Sequence, residues 1–498
     1  MKDAILGIDI GTSSAKAILY DLSGSEVTSA SRPYPLLTPQ PGWVEQDPEV
    51  VWQALVEVLR DIVQQAAGYR ILSLALAAQA GSLIAADETG RPVYPMITWL
   101  DGRSQELMRQ WYADGTAATI RRVSGWLPFA GLPLPSIAWL RLNKPEVHSA
   151  ARRFLGVEDF LNSRLTGTFA TDLSAGTEML LVDLQTGQWS EELCAIGGVN
   201  PRMQAELGWA GRKIGPITDE IARQTGLTAG TPVIAGGNDQ PCAGLAMGMT
   251  APGKVMLSTG TAWVLMSVAQ TPEIASVPAW VNLYFHAAPH RYIAGQLVGG
   301  FGATVDWWLR QLWPTPAGEK LPYQSLNEAV LKSPAGSHNL LFLSLSGPSQ
   351  IANAAAGGGF VGMDLAHTRD DMCRAVLEGC AFEVRWALDE LRASGIPVEE
   401  LWLAGGANRS PVWPQILADV SGVPIMVASD VDWAALGAAV LAGWGIGAFP
   451  SLDEGIARVQ PPAQRIQPDP NLTDFYSGRL DVYQRLSRAI NGVRSEVK

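Results

Sequence analysis

The chain has 498 residues, of which 47% are hydrophobic, so at about 150 residues per domain it can form roughly two to four domains with large cores. The formal net charge of −12 and the pI of about 5.0 argue against nucleic acid or an anionic membrane as the main partner. The four cysteines form no C-x-x-C pair and no ligand spacing with the five histidines, which indicates buried thiols in a reducing cytoplasm.

The sequence contains neither a predicted secretion signal nor a predicted membrane span. Residues 1–3 run directly into the first strand, without the basic leader and apolar core of a signal peptide. The longest mostly apolar run, residues 71–86, is interrupted by Gln79 and is too short to span a bilayer. We therefore expect a cytoplasmic protein without a membrane partner.

The chain opens with a pattern typical of a β-hairpin, in which apolar strands over residues 4–10 and 16–21 flank a turn of glycine, threonine and serine at residues 11–14. Small residues leave the backbone N–H groups of such a turn open, so a phosphate can bind among them. Asp9 ends the first strand beside this turn, where its carboxylate would repel phosphate unless a divalent cation lay between them. A magnesium ion held partly through water fits that position. The alternative is an ordinary edge hairpin with a polar tip.

Strands and helices alternate through the rest of the first half. A second hairpin is predicted around residues 22–31, and Asp47 followed by Pro48 predicts a helix that runs to about residue 67. Residues 71–77 are apolar except for one serine, as expected of a strand that is buried on both faces. The further predictions are strands at residues 82–86 and 93–99, helices within 102–167, turns and short strands over 168–187, and a short helix beginning within 188–192.

Near the middle of the chain the pattern restarts. Residues 232–235 predict a strand that runs into Gly-Gly-Asn-Asp-Gln at residues 236–240, and a helix follows. A second strand–turn–strand unit spans residues 254–268. Two such hairpins, each heading an αβ segment, predict two lobes from a duplicated unit around one phosphate site. The remaining predicted elements are helices at residues 369–393, 411–421, 433–442 and 474–490, and strands at residues 401–404 and 424–427.

Asp239 is the strongest candidate for chemistry. It follows a strand of the buried type and a glycine turn, so its carboxylate is expected at the carboxyl end of that strand, facing a crevice. An aspartate there can accept a proton from a substrate hydroxyl as the hydroxyl oxygen attacks phosphorus. The alternative is a structural N-cap for the helix that begins near Gln240.

A third glycine turn, at residues 404–410, joins a strand to a helix. Close approach of the backbone to a flat ring or to phosphate would need its glycines, Gly405 and Gly406, although a plain strand–helix connection is the alternative. The G-x-G-x-x-G pattern at residues 357–362 does not open a helix, as a dinucleotide fingerprint requires. The sequence also has no P-loop motif and no histidine metal motif.

Taken in order, these motifs resemble the FGGY carbohydrate kinases, which are sugar and polyol kinases with an actin-like, two-lobed fold. The match covers nearly the whole chain, and its long later motif, from Gly358 to Glu378, is specific. The resemblance implies an α/β fold of two actin-like, ribonuclease H-like lobes, over residues 1–245 and 246–498, with a cleft between them. The matching segments are residues 7–16, 42–48, 98–103, 236–240, 260–261, 358–378 and 404–419.

The resemblance also implies roles for single residues. Asp239 would be the catalytic base, Asp9 would be the magnesium-side carboxylate acting through water, and the γ-phosphoryl of MgATP would move to a sugar hydroxyl. The implied ATP-binding residues are Thr12, Ser13, Ser14 and Lys16 in the first hairpin, Gly260 and Thr261 in the second hairpin, Gly302 and Asp306 in a helix, and Gly405, Gly406 and Ser410 in an adenosine loop. The implied sugar-binding residues are Gln79, Ala80, Gly81, Trp99, Asp101, Arg103, Asp239 and Gln240.

The sugar side departs from the family more than the nucleotide side does. Xylulose kinases usually read Gln-Met-His-Gly where residues 79–82 are Gln-Ala-Gly-Ser, and glycerol kinases have Arg-Glu in place of the Ala-Gly pair. Residues 34–39 and 82–85 are closer to gluconate kinases, whereas residues 236–240 are closer to xylulose kinases. Because lost hydrogen-bonding side chains would be costly for the usual substrate, we expect a roomier or differently shaped acceptor pocket.

The leading hypothesis is an ATP-dependent kinase for a ketopentose, most simply D-xylulose, with gluconate or a polyol as the alternative acceptor. A non-catalytic relative that binds nucleotide or sugar is a second hypothesis. A third is an actin-like chaperone ATPase, which gives no reason to keep Trp99, Asp101 and Arg103. The 18 tryptophans allow either a homodimer with tryptophans at the subunit contact or a chain whose tryptophans fill its cores.

Overall fold

Two mixed β-sheets organise the chain, one in each half of the sequence, in a computed structural model that describes residues 1–316, 319–345, 357–428 and 431–496. The strands of the first sheet are β1 (Lys2–Ile10), β2 (Ser14–Asp21), β3 (Glu26–Pro33), β4 (Tyr69–Ala78), β5 (Lys213–Pro216) and β6 (Pro232–Asn238). The strands of the second sheet are β7 (Gly253–Thr259), β8 (Trp263–Ala269), β9 (Asn282–Phe285), β10 (Tyr292–Gly299), β11 (Val398–Gly405), β12 (Ile425–Ala428) and β13 (Ala463–Ile466).

The two sheets repeat one pattern of strand pairing. In the first sheet β1 pairs antiparallel with β2 and parallel with β4, and β4 pairs parallel with β6. In the second sheet β7 pairs antiparallel with β8 and parallel with β11, and β11 pairs parallel with β12. The full strand orders are β5-β6-β4-β1-β2-β3 and β9-β10-β8-β7-β11-β12-β13. The repeated order confirms the prediction of two related α/β lobes.

Helices cover the sheets and fill the connections between strands. In the described part of the chain they are α1 (Pro48–Gln65), α2 (Gln105–Asp114), α3 (Thr116–Ser124), α4 (Pro133–Asn143), α5 (Pro145–Ala150), α6 (Val157–Thr166), α7 (Leu173–Thr177), α8 (Glu191–Gly197), α9 (Asp219–Thr225), α10 (Asp239–Ala246), α11 (Phe301–Leu312), α12 (Tyr323–Lys332), α13 (Arg369–Ala393), α14 (Trp413–Ser421), α15 (Trp433–Gly445), α16 (Leu452–Val459) and α17 (Pro470–Glu496). Short paired strands join Glu45–Gln46 to Met96–Ile97, Ile84–Ala86 to Arg153–Leu155, Ala170–Asp172 to Glu206–Gly208, Val182–Asp183 to Gln188–Trp189, and Leu341–Leu343 to Gly359–Val361.

Capping residues explain why several helix bounds were predicted closely. Helix α13 begins and ends at the predicted residues, and its start is fixed by a capping box between Thr368 and Asp371. The side chain of Asp47 accepts a hydrogen bond from the Glu49 N–H and caps α1, as predicted.

One local prediction is wrong, and three elements were not predicted. The strand predicted over residues 93–99 is reduced to Met96–Ile97, because Pro95 has no N–H to donate to a strand partner. The short strands predicted within residues 168–187 do form, at Ala170–Asp172 and Val182–Asp183, but helix α7 between them was not predicted. Asp172 caps this helix by accepting from two backbone N–H groups. Strands β9 and β10 had no counterpart in the predicted elements.

Helix α15 joins the two halves of the molecule by packing against strands of the first sheet and against α10. A β-carbon on Gly7 would lie 1.9 Å from the Ala435 carbonyl oxygen, and one on Gly437 would lie 2.0 Å from the Cys242 carbonyl oxygen. One hydrophobic cluster around these contacts includes side chains from both halves, among them Cys242 and Leu441. The two sheets therefore share a core where α10 and α15 meet.

The described residues also bear on the composition-based expectations. All four cysteines are free and buried, as predicted. Trp99 and Trp307 are the exposed tryptophans, and the others are buried or partly buried, so most of the tryptophans pack into the interior. Among the described helices, none combines the length and the apolar composition that crossing a membrane requires.

Candidate active site

The carboxyl ends of three parallel strands meet at one edge of the first sheet. Ile10 at the end of β1 lies opposite Ala78 of β4, and Ala78 lies opposite Asn238 of β6. The N–H of Gln79 donates a hydrogen bond to the Ile10 carbonyl at 2.7 Å. This register brings Gln79 and Asp239 to the same edge of the sheet, although they are far apart in sequence. Ligands of open α/β sheets bind beyond such strand ends.

A cavity of about 570 Å³ opens at this edge and is lined by both halves of the chain. We call it the central cavity. Its lining residues are Thr12, Gln79, Ala80, Trp99, Tyr112, Trp126, Leu127, Pro128, Phe129, Leu132, Glu178, Asn238, Asp239, Gln240, Val264, Asn282, Tyr284, Gly295, Gln296 and Leu297. The predicted site residues among them are Thr12, Gln79, Ala80, Trp99, Asp239 and Gln240.

Asp239 is the first residue of α10, and its side chain is partly exposed toward the central cavity. Burial raises the pKa of Asp239 to about 6, although the hydrogen bond from the Gln240 N–H opposes the shift, and the negative charge of Asp432 adds to it. Asn238 caps the helix by accepting from the Gln240 N–H at 3.0 Å, and Asp239 Oδ1 accepts from the same N–H at 2.7 Å. Because Asn238 already serves as the N-cap, capping alone does not explain the aspartate at the cavity.

A buried polar network holds the end of β6 in place. Ser174 Oγ accepts from the Asn238 N–H at 3.0 Å and donates to Asp172 Oδ1 at 3.0 Å. Glu158 Oε1 accepts from the Gly236 N–H at 3.2 Å. These bonds satisfy buried backbone N–H groups on the segment that carries Asp239, so the network positions that carboxylate from behind.

Ser174→Ala is expected to lower the free energy of unfolding by about 1–3 kcal/mol, because the buried Asn238 N–H loses its acceptor. Urea unfolding of the full chain measures the effect. Ser477→Ala is the control, since the Ser477 hydroxyl is exposed and donates only to the nearby Thr473 carbonyl. Equal urea midpoints for the two variants would show that the Asn238 N–H finds another partner.

Hydrogen bonds within the turn between β1 and β2, and from neighbouring segments, hold this turn next to the central cavity. The Gly11 N–H donates to the Ser14 carbonyl at 3.0 Å, and Gln46 Nε2 donates to the Thr12 carbonyl at 2.7 Å. Trp99 Nε1 donates to Thr12 Oγ1 at 3.0 Å. The tryptophan therefore connects the predicted phosphate turn to the predicted sugar side.

Three carboxylates lie close enough beside this turn to affect one another. Burial raises the pKa of Asp9 well above its usual range, the negative charges of Asp432 and Asp239 raise it further, and Lys16 lowers it. Lys16 Nζ lies 3.2 Å from Asp432 Oδ2. Asp9 Oδ1 is buried and has no hydrogen-bond partner among the described residues, so this oxygen fits a metal ion or its bound water.

In the described part of the chain, no group of three or more His, Cys, Asp or Glu side chains could hold a metal ion by itself. Magnesium is commonly held by one or two carboxylates together with water and phosphate oxygens. The oxygen donors at Asp9 are of the kind that magnesium takes, so the residues present fit the predicted ion.

The second hairpin, between β7 and β8, lies against the start of α11. The Ala303 N–H donates to the Thr261 carbonyl at 3.0 Å. A β-carbon on Gly302 would lie 2.0 Å from the Gly260 carbonyl oxygen, so only glycine permits this approach. Gly260 and Thr261 are exposed, and the predicted residues Gly260, Thr261 and Gly302 form one continuous surface.

The third glycine turn lies beside the same sheet edge, because Thr259 at the end of β7 pairs with Gly405 at the end of β11. Gly405 has a φ of 84°, and a β-carbon there would lie 2.8 Å from the Thr259 carbonyl oxygen. Thr259 Oγ1 accepts from the Ala407 N–H at 3.0 Å and thereby fixes the turn. Gly405 and Gly406 are exposed, so the backbone of the turn is open to a ligand.

Two predicted nucleotide-binding side chains already have protein partners. Asp306 accepts a hydrogen bond from the Tyr323 hydroxyl. Ser410 Oγ donates to Asn327 Oδ1 at 2.9 Å and accepts from the Trp413 N–H at 3.2 Å, at the start of α14. In this arrangement both side chains stabilise the surroundings of the glycine turn.

Asp101 and Arg103 do not line the central cavity, although they were predicted to bind substrate. Their side chains are fully buried and lie 2.8 Å apart between Arg103 Nε and Asp101 Oδ1. Arg103 Nη2 also lies 2.7 Å from Glu45 Oε1, and the guanidinium lies 3.9 Å from the centroid of the Trp43 ring. This closed set of partners supports the segment that carries Trp99 and leaves no guanidinium face toward the cavity.

Gly81 also lies outside the lining. It has a φ of 74°, and a β-carbon there would lie 3.2 Å from Trp99 Cβ and 3.4 Å from Glu178 Oε2. The glycine therefore gives Trp99 room to stand at the cavity wall. A larger residue at this position would displace either Trp99 or Glu178.

Sequence reasoning missed several parts of the cavity wall. The residues from strands β9 and β10 were missed because neither strand was predicted. Glu178 had a detectable signal, since it is the single charged residue in the stretch 173–182. Burial and the negative charge of Asp239 raise the pKa of Glu178 to about 8, although the hydrogen bond from Asn238 opposes the shift.

Comparison with known proteins identifies the family. The model of the FGGY family of carbohydrate kinases, N-terminal domain, matches residues 4–246, and the C-terminal domain model matches residues 255–446. The xylulose kinase of Escherichia coli (strain K12) is 30% identical, over 97% of this chain and 98% of its own length.

Two solved structures are similar over nearly the whole chain. The gluconate kinase from Lactobacillus acidophilus superposes with a TM-score of 0.92 at 26% identity, covering 100% of both chains. The xylulose kinase from Rhodospirillum rubrum also superposes with a TM-score of 0.92, at 28% identity, covering 98% of this chain and 99% of that one. The matches confirm the resemblance found in the motifs, and the chain belongs to the FGGY family of carbohydrate kinases.

Proposed function

We propose that this protein is an ATP-dependent kinase that transfers the γ-phosphoryl group of MgATP to a hydroxyl of a ketopentose, most simply D-xylulose. The observation that carries the proposal is the position of Asp239 at the carboxyl end of β6, partly exposed in a cavity that both halves of the chain line. The similarity to proteins named xylulose kinase supports the choice of acceptor. Gluconate is the second candidate, because a gluconate kinase has an equally similar fold.

In this proposal Asp239 is the general base. Its carboxylate accepts the proton of the acceptor hydroxyl as that oxygen attacks the γ-phosphorus. With a pKa of about 6, the Asp239 carboxyl is mostly ionised at neutral pH yet retains more basicity than an ordinary aspartate. Gln79, Ala80, Trp99 and Gln240, which line the same cavity, hold and orient the acceptor.

On the nucleotide side, the two hairpin turns hold the phosphates and the third glycine turn holds the adenosine. Ser13 is exposed at the tip of the first turn, and its carbonyl accepts from the Tyr34 N–H at 3.0 Å, which fixes the tip. Asp9 would hold magnesium through water, and the ion would supply positive charge to the phosphates. The other residues assigned to ATP are Thr12, Ser14, Lys16, Gly260, Thr261, Gly302, Asp306, Gly405, Gly406 and Ser410.

We assign residues 1–245 to the lobe that carries the acceptor side and residues 246–498 to the lobe that carries the nucleotide side. Asp101 and Arg103 take a positioning role, since they support the segment of Trp99 from beneath. A homodimer and a cytoplasmic location stay predictions.

A panel of acceptors tests the proposed function. ADP release is measured with MgATP and each of D-xylulose, D-ribulose, D-gluconate, glycerol and xylitol. Turnover that depends on a sugar or polyol supports the kinase, and the acceptor with the highest kcat/KM identifies the substrate. Hydrolysis of ATP at the same rate with and without acceptor would indicate an ATPase, and binding without turnover would indicate a non-catalytic relative.

The pKa of Asp239 predicts the acidic limb of the pH profile. The base works in its ionised form, so kcat/KM should fall as the pH drops through about 6, and at pH 5 it should be about one tenth of its plateau value. The measurement is kcat/KM for the acceptor at saturating MgATP between pH 5 and 8. A profile that stays flat down to pH 5 would contradict the assignment of Asp239 as a base with a raised pKa.

A further inference from the structure

The wall of the central cavity is acidic and has no basic side chain to compensate, among the residues that the structure describes. Its ionisable acids are Asp239 and Glu178, and the lining residues found in the described part of the chain include no lysine, arginine or histidine. A site built for a carboxylated sugar normally offers an arginine or a lysine to the carboxylate. The described lining therefore offers no such partner to a carboxylated acceptor.

The basic side chains near this wall are committed to other partners. Arg103 is fully buried against two carboxylates. Arg121 Nη2 donates to the carbonyls of Pro278 and Val281 at 3.2 and 3.3 Å. Lys16 pairs with an aspartate beside the hairpin turn. In the arrangement observed, none of the three presents its charge to the cavity.

Glu178 is held at the cavity wall by its neighbours. Asn238 Nδ2 donates a hydrogen bond to Glu178 Oε1, and Asn238 directly precedes Asp239. Glu178 Oε2 lies next to Gly81, because a β-carbon added to Gly81 would lie 3.4 Å from this oxygen. The charge of Asp239 contributes to the raised pKa of Glu178, so the two carboxyl groups interact across one part of the wall.

The neutral polar atoms of the wall suit hydroxyl groups. Gln79 Oε1, Gln240 Oε1 and Trp126 Nε1 are buried and have no hydrogen-bond partner among the described residues. Two of these atoms accept hydrogen bonds and one donates. Hydroxyl groups can satisfy both kinds, whereas the terminal carboxylate of a sugar acid could pair only with the donor, Trp126 Nε1.

We infer that the central cavity takes an uncharged ketose or polyol and that Glu178 is the residue that selects against acceptors carrying a carboxylate. This inference rests on the proposed kinase function and narrows its substrate class. A sugar acid in the cavity would add a third acidic group next to Glu178 and Asp239. Asp239, with a pKa of about 6, is mostly ionised at neutral pH, and Glu178, with a pKa of about 8, adds its charge as the pH rises through that value, so the penalty from like charges in this poorly solvated site grows with pH. A neutral acceptor of the same length carries no such penalty, and the Glu178 carboxyl can hydrogen-bond one of its hydroxyls.

Size-matched ligands test the inference by calorimetric titration of the full chain without nucleotide. The pairs are xylitol against D-xylonate and D-glucitol against D-gluconate, which differ within each pair by a terminal carboxylate. The titrations are run at pH 8.5, above the pKa of about 8 for Glu178, so that most molecules carry its charge. The wild-type chain should bind the neutral member of each pair at least about tenfold more tightly than the acid.

Glu178→Gln should reduce that preference by about tenfold, mainly through tighter binding of the acid. Glu191→Gln is the matched control, because Glu191 is exposed on α8 and lies outside the cavity lining, and it should leave the preference unchanged. Glu178→Met, which keeps the length of the side chain without its charge, gives a second reading if the glutamine variant does not fold.

Each outcome has a separate meaning. Equal or tighter binding of the acids by the wild-type chain, or no binding of any of the four ligands, would overturn the uncharged-acceptor site. An unchanged preference in both Glu178 variants would overturn the assignment of Glu178. Failure of the proposed function would instead appear as missing acceptor-dependent ADP release, a different assay that these titrations do not use.

Discussion

Asp239→Asn is expected to reduce acceptor-dependent turnover by about 10³-fold, with little change in the affinity for MgATP. Asparagine keeps the shape of the side chain and can still accept from the Gln240 N–H, so the start of α10 should remain intact. The amide, however, cannot take the proton of an attacking hydroxyl at neutral pH. Steady-state ADP release with the best acceptor measures the loss, and fluorescence titration with a nucleotide analogue measures binding.

The control for this variant is Asp481→Asn on the surface of α17. Asp481 pairs only with Arg485 in the described structure, and both side chains are exposed. The control should retain full turnover. If Asp239→Asn kept turnover within about threefold of the wild-type value, proton transfer to Asp239 would contribute little and the proposed mechanism would fail.

Gly437→Ala is expected to destabilise the protein by about 3 kcal/mol, although alanine normally favours helices over glycine. Gly437 lies inside α15, and an added β-carbon would lie 2.0 Å from the Cys242 carbonyl oxygen of α10. That contact is with backbone, so relief requires the two helices to move apart. Because α15 also contacts the first sheet, the movement would loosen the junction between the two halves.

Gly478→Ala makes a matched comparison, because Gly478 also lies inside a helix but has no atom within 4 Å of the added β-carbon. This variant should stabilise the protein by about 0.5–1 kcal/mol. Urea and thermal unfolding of the two variants should therefore shift in opposite directions. A shift in the same direction would mean that α10 and α15 can separate at little cost.

The local pattern of the sequence was enough for the elements that local interactions decide. The hairpin β1–β2, helix α13 and the strand that runs into Asp239 were all predicted from turn residues and hydrophobic patterns. The resemblance of ordered motifs was enough for the family and for the two-lobed fold. These features depend on residues close together in the chain or on motifs preserved as units.

Contacts between distant segments decided the rest. Asp101 and Arg103 carry the family motif, but only the packed structure shows that Arg103 pairs with both Asp101 and Glu45, away from the cavity.

Glu178, in contrast, was not selected from the sequence. Only the structure shows that it lines the central cavity and accepts a hydrogen bond from Asn238.

The sequence by itself determined that an aspartate follows the buried strand β6 and that two similar hairpins head the two halves of the chain. Only the tertiary structure decided which side chains meet at the central cavity, because register between strands and packing of α15 bring together residues hundreds of positions apart. The physical reason is that a side chain's neighbours across a sheet or a helix contact are set by burial and close packing, which no local pattern encodes.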